Sequence, residues 1–194
     1  MKIYDISQEV FSCAVYPGDP EPEKQELCAT EAGDLYNLTC FSMCAHNGTH
    51  VDAPFHFIHH GKTVDALGLE PFVGECYVAR CEGDIGAKTA EEILRKAKGV
   101  PRILIAGNVT VTAEGASVFA EAGIRLLGNE GQSVGPEDAP MAVHKILLGK
   151  NIALLEGIVL NGIPEGRYFL SAAPLNLGGC DGAPCRAYLI GEEK

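Results

Sequence analysis

The chain has 194 residues, with 15 Lys and Arg against 26 Asp and Glu, a formal net charge of −11, 46% hydrophobic and 21% charged residues. That length suits one domain, 1–194, with one core, and the composition excludes a disordered or fibrous chain. An acidic balance without a Lys/Arg cluster argues against a nucleic-acid partner, and the lack of a run of about 18 apolar residues argues against a membrane span.

The start, Met1-Lys2-Ile3-Tyr4-Asp5, shows no basic stretch followed by an apolar run, so a cytoplasmic protein is expected. A strand is predicted over Lys2 to Ser7, followed by a turn at Pro17-Gly18-Asp19-Pro20, where proline fixes φ and glycine permits reversal. Extended segments follow at about 24–30 and 37–45. The first clear helix is Thr89 to Ala97, with Thr89 and Glu92 at capping-box spacing and Gly99 and Pro101 ending it. Next come a buried strand at Arg102–Ala106, a helix over Thr112–Ala122 stopped at Gly123, and a strand over Ile124–Leu127. A helix over Met141–Leu148 leads into a strand, Asn151–Glu156, and further strands are expected near 167–172 and 185–190. This is a mixed α/β pattern, with β segments on both sides of an αβαβ centre.

Eight cysteines stand at 13, 28, 40, 44, 76, 81, 180 and 185. A chain of this length without an export signal is expected to keep them reduced. Cys40 and Cys44 lie close to His46, but their segment Leu38–Ala45 reads as a buried strand. They are therefore taken as small core residues rather than metal ligands.

Five of the six histidines fall between positions 46 and 60, and His46, His50, Asp52 and His56 share one parity. On an extended strand these four side chains would face one side. A straight strand would still put His46 and His56 roughly 33 Å apart, so the chain must bend, and Gly48 and Pro54 stand where bending is needed. A helix would also align His46 with His50, but Gly48, Thr49, Val51 and Pro54 are poor helix formers. The imidazole and carboxylate set suits zinc, manganese or ferrous iron. Because it contains a carboxylate and is incomplete locally, it points to an open, catalytic site, with His56 as the spare base. His59 and His60, next to Gly61 and Lys62, read as a solvated loop end.

The run His46-Asn47-Gly48-Thr49-His50-Val51-Asp52-Ala53-Pro54-Phe55-His56-Phe57 resembles the signature of the bacterial kynurenine formamidase and cyclase family. The similarity extends from Asp5-Ile6-Ser7 and Tyr16-Pro17-Gly18-Asp19 to Leu175-Asn176 and the segment Asp181–Ala187. It implies a swivelling β/β/α fold, a mixed sheet with flanking helices, and a site completed by His144 and Glu156. By this analogy His50, Asp52, His144 and Glu156 hold one divalent ion, zinc or manganese, while His46 with bridging Asp52 and Glu156 holds a second. His56 is the implied general acid/base. Without the resemblance, His144 would pass for a core histidine and Glu156 for a charge at a strand end.

The family often has tryptophan where this chain has Tyr16, the position implied to bind substrate, and this chain contains no Trp. Gly128–Ser133 also lacks an expected aspartate, and Asp181 with Arg186 is read as a structural ion pair near the site. The expectation is a metal-dependent hydrolase of a C–N amide bond, acting on a small-molecule amide such as N-formylkynurenine. Its rivals are a hydrolase of a cyclic amide or lactone such as isatin, and a non-catalytic metal-binding protein. The resemblance further implies a homodimer or homotetramer.

Overall fold

The computed structural model describes residues 1–192. In chain order it contains strands β1 (Lys2–Asp5), β2 (Glu23–Cys28), β3 (Leu38–Ser42), β4 (His50–Asp52), β5 (Val73–Arg80) and β6 (Gly83–Ile85), then helix α1 (Ala87–Ala97). Next are β7 (Arg102–Ala106), β8 (Val109–Val111), α2 (Ala113–Glu121), β9 (Leu126–Asn129), α3 (Met141–Leu148) and β10 (Ala153–Glu156). The last strands are β11 (Gly166–Ser171), β12 (Gly182–Pro184) and β13 (Tyr188–Gly191).

Nine strands form one mixed sheet in the order β1-β13-β11-β5-β7-β9-β10-β4-β12. The parallel centre, β5-β7-β9-β10, is built from the βα crossovers that the alternating middle third predicts. Antiparallel strands extend it on both sides, and the α/β class with a mixed sheet and flanking helices is observed.

Alternation along the central strands divides the core into two layers. Ile103 and Ile105 of β7, Leu127 of β9 and Leu154 of β10 pack with Ile93, Phe119, Val143 and Leu147 of the helices. Leu104, Ala106, Leu126 and Leu155 pack on the opposite face with Val51, Leu170 and Leu189. Strands buried on both faces read as continuous apolar runs, which is why Arg102–Ala106 is legible in the sequence.

Several boundaries differ from the sequence reading. Helix α1 begins at Ala87 with Gly86 as its N-cap, and no side chain caps it, so the Thr89–Glu92 spacing lies inside the helix. Thr112, by contrast, does cap α2, its hydroxyl accepting from Gly115 N at 3.3 Å. Strand β5 was not foreseen, because Gly74 and Glu75 interrupt its apolar run.

The larger correction concerns 37–45. Strand β3 ends at Ser42, and every residue in it is exposed, because β2 and β3 pair only with each other. Cys40 is therefore exposed, and of the eight free cysteines only Cys76 is buried. No helix among the described residues is long and apolar enough to cross a membrane.

Candidate metal centre

Strand β4 lies between β10 and β12, and the register of these pairs builds the site. Opposite β10, Asp52 faces Leu154 and His50 faces Glu156, while Val51 faces Leu155. Facing residues share a side of the sheet, so His50, Asp52 and Glu156 point to the helical layer that holds Leu154. Helix α3 brings His144 to the same place, its Nδ1 donating to the Pro140 carbonyl at 2.9 Å. The ring is thereby fixed with Nε2 directed at the carboxylates.

The bends expected on either side of β4 are present. Gly48 adopts φ +61°, and the chain leaves β4 through a one-turn 3-10 segment, Pro54–His56. A carbonyl reversed at Gly48 also accepts from His50 Nδ1 at 3.0 Å, which leaves Nε2 for the centre. Gly182 in β12 serves a different purpose, since a Cβ there would lie 2.7 Å from His46 Cε1. The His46 ring occupies space that any side chain would fill.

These residues form two groups that share Asp52. In the first, ligand atoms of His50, Asp52 and Glu156 lie within 4.8 Å of one another, and all three residues are buried. His144 Nε2 stands 3.2 Å from Glu156 Oε1 and 3.5 Å from Asp52 Oδ2. The second group is His46, Asp52 and His56, again within 4.8 Å. His46 Nδ1 is 2.9 Å from Asp52 Oδ1, and its ring stacks on that of His56 with centroids 4.1 Å apart. The resemblance implies Glu156 both beside His50 and as a bridge to the His46 ion; the geometry groups Glu156 with His50 and Asp52, and groups His56 with His46 and Asp52.

Electrostatically the centre calls for a cation. Burial opposes charge on His50 and His144, yet the neighbouring carboxylates of Asp52 and Glu156 hold both pKa values up at about 10. Burial likewise works against the Asp52 carboxylate, but His144, His46 and His50 keep it well below its ordinary range. Glu156 Oε1 accepts from Val134 N at 2.8 Å. Asp52 Oδ2, fully buried, accepts no hydrogen bond among the described residues. An orphaned carboxylate oxygen amid imidazole nitrogens is an acceptor that a divalent ion satisfies, so the residues present fit a metal.

Tyr16 lies at the turn predicted for it, where Asp19 N donates to its carbonyl at 3.0 Å. Its hydroxyl donates to the Glu137 carbonyl, joining that turn to the loop before α3. Burial and the charges of Glu137, Asp19 and Glu156 raise its pKa. His59 and His60 are exposed, as expected.

Asp181 and Arg186 do not pair. Arg186 holds Asp5 instead, its Nε 3.0 Å from Asp5 Oδ2, on an exposed edge. Asp181 instead reaches the centre, with Oδ2 3.0 Å from His46 Nε2 and 3.1 Å from His56 Nδ1. The sequence offered a signal for this in Asp181-Gly182-Ala183-Pro184, a carboxylate beside residues small enough to pack against a ring.

The chain is similar to known proteins over most of its length. The Cyclase family model, described as Putative cyclase, matches residues 4–136. A kynurenine formamidase of Erythrobacter litoralis is 32% identical over 97% of this chain and 93% of its own length. One of Bacillus cytotoxicus is 34% identical over 95% of each. Among solved structures, a potential metal-dependent hydrolase with cyclase activity superposes with a TM-score of 0.83 at 27% identity, covering 100% of this chain and 99% of that one. A matched model spanning more than half the chain and relatives matched end to end carry the same conclusion: this chain belongs to the Cyclase family.

Proposed function

We propose that the protein is a metal-dependent amide hydrolase that converts a formamide such as N-formylkynurenine to formate and a free amine. The observation that carries this reading is the pair of imidazole–carboxylate groups joined at Asp52, one buried and the other opening to His56. Relatives named kynurenine formamidase at 32% and 34% identity support the substrate class. His50, Asp52, His144 and Glu156 would hold one zinc or manganese ion, and His46 with Asp52 would hold a second. A divalent ion so bound polarises the carbonyl and makes an attacking water more acidic.

The chain's own part is proton transfer and positioning. His56, about a quarter exposed in its side chain, takes a proton from the water that adds to the formyl carbon. It returns that proton to the departing nitrogen as the C–N bond breaks, because an unprotonated amide nitrogen leaves poorly. Tyr16, tied to the loop before α3 through the Glu137 carbonyl, would contact the substrate. His56→Ala is expected to lower kcat by about 10²- to 10⁴-fold with metal content unchanged. Equal activity in that variant would remove His56 from the mechanism. A panel of N-formylkynurenine, simpler formamides and cyclic amides such as isatin tests the substrate, and preference for the cyclic amides would select the rival hydrolase.

The reading extends to a cytoplasmic homodimer or homotetramer. Eight free thiols support a reducing compartment. Self-association is supported by the β2–β3 ribbon, a two-stranded unit of marginal stability that exposes Leu27, Leu38 and Phe41, with Phe11 packed edge-on against Phe41. A second copy on this patch would bury it across a self-matching two-fold interface.

A further inference from the structure

We propose that Asp181 is a positioning residue that sets the proton-bearing nitrogen of both His56 and His46, an inference resting on the acid/base role given to His56. One carboxylate oxygen, Asp181 Oδ2, meets His56 Nδ1 at 3.1 Å and His46 Nε2 at 3.0 Å. A carboxylate accepts, so each of those nitrogens carries the hydrogen. In a neutral imidazole the opposite nitrogen then holds the lone pair.

For His56 that is Nε2, which has no hydrogen-bond partner among the described residues and is left as the base. For His46 both nitrogens face carboxylates in the metal-free chain, Nδ1 lying 2.9 Å from Asp52 Oδ1, so Asp181 would keep the hydrogen on Nε2 when Nδ1 gives up its own for ligation. A carboxylate behind a ligating imidazole fixes both its ring orientation and its basicity. Here one carboxylate does so for a ligand and for the proton carrier, and the stacking of the two rings at 4.1 Å and 29° makes a shared partner possible.

The backbone holds Asp181 in place independently of its side chain. Its carbonyl accepts from Ala53 N at 2.8 Å, Val64 N donates to the Cys180 carbonyl at 2.9 Å, and Gly182 pairs with Asp52. Among the described residues its ion pairs are with the two histidines alone. With the side chain 41% exposed, the carboxylate adds little to folding, so a purely structural role does not account for it.

The test compares zinc-loaded wild type, Asp181→Asn, His56→Ala and the double variant. Assayed at saturating zinc, Asp181→Asn is expected to lower kcat by about tenfold to a hundredfold with KM within about twofold. At saturating zinc, where the effect through His46 on metal binding is made up, the same substitution in the His56→Ala background should change kcat by less than about twofold, since the remaining effect of Asp181 on turnover acts through His56. Losses that multiply in the double variant at saturating zinc would overturn the proposal. Long-range ¹⁵N–¹H spectra of the histidine rings give a readout independent of turnover. The wild type should show His56 protonated at Nδ1, and Asp181→Asn should show a mixture or the Nε2 form. An unchanged His56 spectrum in the variant overturns the positioning role. Absent turnover with the expected spectra would instead overturn only the hydrolase reading.

Discussion

Asp52 is the residue on which both halves of the centre depend. It is fully buried, contacts His46, lies within 3.5 Å of His50 and His144, and has one oxygen without a hydrogen bond. In the metal-free chain the imidazoles supply the missing positive charge. Burial disfavours that charge, but Asp52 and Glu156 outweigh it and raise His50 and His144 to about 10. A raised imidazole pKa stabilises the fold fully below the unfolded value of about 6.5, and its contribution is lost as pH climbs towards 10. Ligation needs neutral imidazoles, so zinc binding at pH 7 should expel about two protons per chain and strengthen with rising pH. Calorimetric titrations in buffers of different ionisation enthalpy measure this, and a buffer-independent heat would contradict it. Gly182→Ala probes the centre sterically. Its Cβ would fall 2.7 Å from both His46 Cε1 and the Val51 carbonyl, so the variant should lose metal at the His46 position and loosen the β4–β12 edge. Metal stoichiometry beside a far-ultraviolet spectrum checks both.

At the scale of elements, the centre is where β4, β10, β12 and α3 converge, and each contributes through its register. This explains what the sequence could reveal. The Gly48 and Pro54 bends and the shared parity of His50 and Asp52 are local properties and could be read directly. His144 and Glu156 come together with them only through the β4–β10 pairing and the docking of α3, long-range contacts with no local signature. Asp181 was misassigned to Arg186 for the same reason, since the β12–β4 pairing decides which way it faces. The segment carrying β3 was misread as core because its apolar residues Leu38 and Phe41 resemble a buried run, whereas β3 pairs only with β2 and stays exposed. Phe41→Asp should therefore shift the protein towards monomer in light scattering with little change in the far-ultraviolet spectrum. An unchanged mass would show that this ribbon is not the contact. Phe119→Ala, in the helical layer, should cost about 3–5 kcal/mol in denaturant unfolding because it empties a fully buried site.

At the scale of the molecule, the two-sided core fixes the central strands, and that packing is what holds two like-charged carboxylates together among the imidazoles. Asp52 and Glu156 sit together at 0% and 2% exposure, a costly arrangement in a chain already at −11. A bound cation offsets that cost, so chelation should lower the melting temperature as well as activity. The decisive measurement takes metal content and turnover of N-formylkynurenine on one preparation, before and after chelation. The account predicts about one to two equivalents of divalent metal, turnover lost with the metal and restored on its return. Undiminished turnover in metal-free protein, or a folded, metal-loaded protein inert towards formamides and cyclic amides alike, would contradict it.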